Sequence, residues 1–332
     1  MRKFSPNSSR RDFLTKAALA AAGIALVGSR AVGKDTAEKG AGLMPEAKAA
    51  ARPICIFSKQ LHWLGYDEMA ETAARIGFDG IDLTVRPNGH VLPERVAEDL
   101  PKAVAAAQKA GLTVPMITTD ITHAPQPYAE RVLKTASQQG VKYYRMGWLP
   151  YQDSLSIQEN LERYKAQFRD LATLNKKYGI HGGYQNHTGT DVGAPVWDLW
   201  ELLQGLDPQH LGSQYDIKHA TAEGGYSWPL GFKLIHPYIR TIDLKDFMWV
   251  KKDGKLEVQS VPLGEGMVDF QRFFSLIKAY KVQGPISLHL EYPLGGAENG
   301  AKKLTIPGGN VIAAMQQDLT TLRGWLKEAG LS

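Results

Sequence analysis

Short apolar runs with period-two alternation recur along this chain. Each gives way to a stretch whose apolar residues return every three or four positions. The first pattern specifies a strand, the second an amphipathic helix. The run Pro285–Tyr292 is the sharpest case: Ile286, Leu288 and Leu290 alternate with Ser287, His289 and Glu291. It predicts a strand over Ile286–Glu291 with His289 and Glu291 on one face. Similar runs predict strands at Ile54–Ser58, Gly80–Thr84, Thr113–Thr118, Lys142–Met146, Ile180–Gln185, His210–Tyr215 and Ile239–Leu244. Helical spacing predicts Tyr66–Ile76, Pro93–Ala110, Pro127–Gln139, Ile157–Tyr178, Val196–Leu203, Leu230–Ile235, Val268–Tyr280 and Val311–Ala329. Gly77, Gly111, Gly140 and Gly179 stand where such helices stop. Strand–helix units repeated in this way predict a single-domain (β/α)8 TIM barrel over residues 53–330, close to the usual size of about 250 residues. An open doubly wound sheet would place a Gly-rich fingerprint after its first strand, and none stands there.

The first 52 residues break the pattern. Arg2, Lys3 and the run Ser9-Arg10-Arg11-Asp12-Phe13-Leu14 precede an apolar stretch, Ala17–Gly28, too short for a comfortable membrane span. Residues 1–33 resemble a twin-arginine signal peptide with a small-residue cleavage site near Ala31-Val32-Gly33. That resemblance implies the twin-arginine export machinery as a partner, a periplasmic location and no stable membrane anchor. Residues 34–52, rich in Ala, Gly and Lys, read as a flexible linker. The leader's basic residues exceed its one acid by five, the whole of the chain's formal net charge of +5. The remainder is neutral, which argues against a nucleic-acid partner. The single cysteine, Cys55, lies in an apolar strand, reads as a packing residue and allows no internal disulfide.

Barrel chemistry sits at the C-terminal ends of the strands. Those ends carry His62, His90, Asp120, His123, Arg145, Gln185, Asn186, His187, Asp216, Lys218, His219, Asp243, Lys245, Asp246, His289 and Glu291. Trp63, Trp148 and Trp249 lie nearby and suit stacking on a sugar face. Gly264-Glu265-Gly266 lacks phosphate-loop spacing and reads as a turn.

The runs Gly179–His187, Leu211–Asp216, Ile242–Asp246, Gly264–Phe270 and Leu290-Glu291, in that order, resemble signatures of the xylose-isomerase-like sugar isomerase/epimerase superfamily. The resemblance implies a divalent metal gripping two sugar oxygens while carboxylates move a proton beside a carbonyl. Such a cation acidifies the C–H by stabilising the enediolate. Asp216 and Glu291 match the family's ligands. Gln185 replaces its strand-five Glu or His, and Asp243 its strand-seven His. The metal set carried over is therefore Asp216, Glu291, Gln185 and Asp243, an oxygen-rich set suited to Mn²⁺ or Mg²⁺. A Gln cannot titrate, so a two-glutamate mechanism does not carry over intact. The alternative is a metal-free centre in which Lys245, His187 and His289 supply charge and proton transfer.

The expectation is an enzyme acting on a free or oxidised sugar, a sugar isomerase or epimerase. Glu291, His187, Lys245 and His289 are its catalytic residues, with His62, His90, Arg145, Trp148 and Trp249 binding the carbohydrate. A lyase or dehydratase cleaving a 3-keto sugar or glycoside is the first alternative, a non-catalytic carbohydrate-binding barrel the second. A homo-oligomer remains open.

Overall fold

A computed structural model describes residues 52–332; the expected signal peptide and nearly all of the expected linker lie outside the described residues. Eight parallel strands close a barrel: β1 (Ile54–Phe57), β2 (Gly80–Thr84), β3 (Thr113–Thr118), β4 (Tyr143–Arg145), β5 (His181–Gln185), β6 (Leu211–Asp216), β7 (Ile239–Leu244) and β10 (Ile286–Leu288). Around them run α1 (Tyr66–Ile76), α2 (Val96–Lys109), α3 (Ala129–Gln138), α4 (Ile157–Tyr178), α5 (Val196–Leu203), α6 (Ile217–Gly224), α7 (Trp228–Ile235), α8 (Phe270–Ala279) and α9 (Gly308–Ala329). The expected (β/α)8 barrel is present. A two-stranded antiparallel sheet, β8 (Asp246–Lys252) with β9 (Lys255–Val261), interrupts it between β7 and α8.

Strand alternation divides the barrel into two surfaces. Outward positions such as Ile81, Leu83, Ile117, Tyr144, Tyr184, Tyr215, Ile242, Leu244 and Leu288 are fully buried under the helices. Tyr144 hydroxyl donates to Asn175 Oδ1 of α4, and the Tyr215 ring stacks toward Phe273 of α8. Inward positions are polar: Asp82, Thr118, Arg145, Gln185, Gln214, Asp216, Asp243 and Ser287 are all buried. Parallel register sets Asp216 beside Asp243, Asp243 beside Ser287 and Gln185 beside Gln214. Gly183 leaves an inward position of β5 empty beside Arg145, and a Cβ there would press on Gln214.

Three features differ from the expected elements. The last barrel strand ends at Leu288, not Glu291. His289 N–H still donates to Leu244 O, but β7 then turns away into the hairpin and leaves Leu290 and Glu291 without a ladder partner. Alternation survives the loss: His289 Nδ1 and Glu291 Oε1 lie 3.8 Å apart. The hairpin itself was not anticipated. Its turn is Asp253-Gly254, both with positive φ (50° and 82°), the backbone a tight two-residue hairpin demands. The helix expected at Leu230–Ile235 is α7, and a further helix, α6, begins directly at the end of β6 with Asp216 as its cap: Asp216 Oδ1 accepts from His219 N–H.

Candidate active site

The polar lining converges on one ammonium group. Lys245 Nζ, one residue past β7, lies 3.0 Å from Asp216 Oδ2 and 3.0 Å from Glu291 Oε1, and the side chain is 2 % exposed. Burial works against its charge, yet Asp216, Glu291 and Asp243 together hold its pKa above the usual lysine value. Glu291 is the one acid of the centre with appreciable access to solvent, its side chain 21 % exposed. Lys218 Nζ approaches its other oxygen at 3.2 Å, and Lys59 Nζ stands 3.9 Å from Oε1. Burial opposes the Glu291 charge, but Lys245, the nearby His289 and Lys218 hold the carboxyl well below the usual carboxylate range. Burial lowers Lys59 to about 8, offset in part by Glu291.

Beneath these lies a neutral-to-anionic layer tied by amides. Gln185 Nε2 donates to Asp216 Oδ2 (2.8 Å) and Asp243 Oδ2 (2.6 Å), while its Oε1 accepts from Arg145 Nη1 (2.9 Å). Asp243 Oδ1 accepts from Gln214 Nε2 at 2.8 Å and faces His289 Nε2 at 3.3 Å. Ser287 hydroxyl donates to Asp82 Oδ2, Thr118 hydroxyl to Oδ1. His289 is stacked flat on Phe57, ring centroids 4.2 Å apart. Burial pushes against a charged His289, but Asp243 outweighs it and raises its pKa.

The four proposed catalytic residues thus meet in one region. His187, after β5, packs on Trp148 (4.5 Å) and His219 (4.0 Å). Its Nδ1 lies 2.9 Å from Thr188 O, a contact that makes Nδ1 the protonated nitrogen and leaves Nε2 as acceptor. Burial, and then Lys245, lowers His187 to about 4, so it is neutral near pH 7. The binding residues divide. Arg145 and Trp148 join the centre, the guanidinium 4.7 Å over the indole. His62 and His90 pack edge-on to each other at 4.6 Å and bond to Thr84 and Ser58, lining a separate hollow of about 290 Å³ with Tyr66 and Lys302. Trp249 sits on β8, 41 % exposed, and among the described residues no hydrogen bond or ion pair ties it to the centre. Buried nitrogens of Arg145 (Nε), Trp148 (Nε1), His219 (Nε2) and His289 (Nδ1) have no hydrogen-bond partner among the described residues. They are polar groups that oxygens of a bound sugar could satisfy.

Three contributors went unpredicted: Asp82, Lys59 and Gln214. Asp82 carried a legible signal, since Asp82 and Thr84 alternate with Ile81 and Leu83 as in the final strand. Gln214 stands two residues before Asp216 on the same face of β6, and Lys59 lies two residues past β1.

The four residues expected to hold a metal are neighbours, but they do not fit a divalent ion as arranged. An ammonium already lies between the Asp216 and Glu291 carboxylates, and Gln185 turns N–H groups, not its oxygen, toward Asp216 and Asp243. A different buried group, Asp82, Asp243 and His289, has ligand atoms within 4.8 Å of one another and could hold a metal.

No curated protein sequence matches the chain. Solved structures do. D-psicose 3-epimerase from Clostridium cellulolyticum is 13 % identical, with 82 % of this chain and 99 % of that one superposed at a TM-score of 0.61. A 3-keto-D-glucoside 4-epimerase from E. coli is 12 % identical over 81 % and 99 % of the two chains, at 0.60. The probable 3-DHS dehydratase of petrobactin synthesis from Bacillus anthracis is 16 % identical over 81 % and 98 %, at 0.60. At these identities the likeness concerns the fold. The family model described as xylose isomerase-like TIM barrel matches residues 70–306, most of the barrel, and the chain belongs to that family.

Proposed function

We propose that the barrel mouth moves a proton at a carbon beside a carbonyl of a sugar or oxidised sugar, as a sugar isomerase or epimerase does. The observation that carries this reading is the Glu291 carboxylate, ionised and reachable from solvent, set directly against the buried ammonium of Lys245. A C–H beside a carbonyl yields its proton when the electron pair moving onto the oxygen meets a fixed positive charge. Lys245 and Lys218 supply that charge, Glu291 takes the proton, and neutral His187 exchanges protons with the sugar's hydroxyls. Arg145, Trp148 and His219 orient the ring through the unpaired nitrogens named above. The residues present do not fit the Mn²⁺ or Mg²⁺ implied by resemblance. No step here depends on it.

Family membership and epimerase neighbours support this class of reaction without naming the sugar. Gln185 favours one further reading. With an amide where the family has a carboxylate, one exposed base faces the substrate. A single base serves an isomerase that carries the proton between adjacent carbons, and it equally serves a lyase or dehydratase of a 3-keto sugar. In solvent deuterium oxide, a sugar that binds should acquire deuterium at the carbon beside its carbonyl. Glu291→Gln should remove that exchange while binding persists. An isomer mixture as product indicates the first chemistry, an unsaturated product the second; binding without exchange would leave only a carbohydrate-binding barrel. We propose also that residues 1–33 direct the folded protein to the periplasm by the twin-arginine route.

A further inference from the structure

The changes at β5 and β7 make one arrangement, not two unrelated losses. Asp216 and Glu291 keep the positions at which the family resemblance places ligands, and Lys245 Nζ stands 3.0 Å from an oxygen of each. Gln185 completes the exchange. Its amide lies between a guanidinium on one side and two carboxylates on the other. A guanidinium only donates and an ionised carboxylate only accepts, so the amide has one sensible orientation, with its N–H groups toward Asp216 and Asp243. A cation seated among those acids would face the amide's hydrogens and an ammonium, and no lone pair from β5.

We propose that the Lys245 ammonium is the centre's resident cation and that the wild-type centre excludes a divalent metal. This deepens the reading given under Proposed function, on which its catalytic part rests. An ammonium bears three N–H groups. Two lie toward Asp216 and Glu291, which leaves one for the carbonyl oxygen of a bound sugar. As Glu291 takes the proton from carbon, the C–H electron pair forms the C=C bond and the carbonyl pair moves to oxygen. The oxyanion is met by Lys245; the adjacent hydroxyl gives its proton to His187, which passes one to that oxyanion, while the hydroxyl oxygen's pair forms the new carbonyl and the proton held by Glu291 goes to the former carbonyl carbon. No metal or redox partner enters the balance.

The buried Asp82, Asp243 and His289 group does not supply the missing metal to this chemistry. Both oxygens of Asp82 accept from hydroxyls, Asp243 accepts from two amides, and all three side chains are shut off from solvent.

The test is metal uptake by the full-length protein, read without any substrate. After dialysis against EDTA and exposure to Mn²⁺, wild type should retain less than about a tenth of an equivalent, and its melting temperature should not move with either treatment. Lys245→Ala leaves Asp216, Asp243 and Glu291 facing one another and should take up Mn²⁺ with a rise in melting temperature. Lys245→Arg should stay metal-free. One equivalent of Mn²⁺ in wild type, stabilising it and lost to EDTA, overturns the proposal whether or not the alanine variant folds. Deuterium exchange that EDTA abolishes in wild type would overturn it too, while leaving the proton-transfer reading standing. Metal-free wild type with no exchange on any bound sugar would defeat the catalytic reading alone.

Discussion

Gln185 shapes the centre more than its neutral charge suggests. Because Arg145 holds its oxygen, its amide hydrogens bind two carboxylates that would otherwise repel each other. The amide at this position is visible in the sequence; the direction it faces is not, since it depends on a guanidinium forty residues away. A second buried acid, Asp318 on α9, makes a clear test at this scale. Its oxygens accept from Tyr292 hydroxyl (3.0 Å) and Leu263 N–H (3.3 Å), and burial raises its pKa to about 6. An acid whose folded pKa is raised binds a proton in the native state that the unfolded chain has already lost. Stability from this group therefore falls as pH rises from about 4 to about 6, by on the order of 3 kcal/mol. Asp318→Asn should flatten that slope, so that chemical denaturation shows the variant gaining on wild type as pH rises across this window. An unchanged difference between pH 4 and pH 7 would show that Asp318 does not titrate there.

Among the elements, the hairpin and the loop after it are the largest departure from a plain strand–helix repeat. Asp246 organises both: its carboxylate accepts backbone N–H groups of Phe247, Gly264, Gly266 and Val268 at 2.8–3.2 Å. Gly266 has to be glycine, because a Cβ there would run into that carboxylate and the Phe247 carbonyl. The Gly-Glu-Gly run was thus legible as a turn, but its partner was not, lying eighteen residues earlier. Asp246→Ala strands these backbone donors, partly buried, and should cost about 3 kcal/mol of unfolding free energy in a urea titration, with the midpoint as readout. The hairpin had its own local signal in Asp253-Gly254, overlooked because the flanking run Lys251–Glu257 is nearly all exposed and shows little apolar alternation. Conversely, the last strand ends three residues before its alternating pattern does. Alternation continued through Glu291 after the ladder had stopped, since side-chain direction outlasts hydrogen-bonded pairing.

For the whole molecule, charge separates residues 1–33 from the rest of the chain. Residues 1–33 hold all of the net +5, and the neutral remainder concentrates its buried charges inside one barrel. Arg10→Lys with Arg11→Lys keeps every charge but removes the guanidinium pair that the export resemblance rests on. Cell fractionation should then find the protein retained in the cytoplasm, still folded and still active. Continued appearance in the periplasm would remove the twin-arginine reading.

The sequence by itself determined the barrel, the order of its strands and which face of each strand is polar. Those follow from periodicities that a few consecutive residues carry and that burial enforces one strand at a time. It also brought Glu291, Lys245, Asp216 and His289 to one rim. What only the tertiary structure decided was which charges touch. Closing eight strands sets Lys245 of one strand end between acids of its two neighbours, and that contact depends on register, on hydrogen-bond direction and on a hairpin drawing β7 away. Local pattern encodes the face a side chain takes, whereas the partner it meets there is a property of the closed ring.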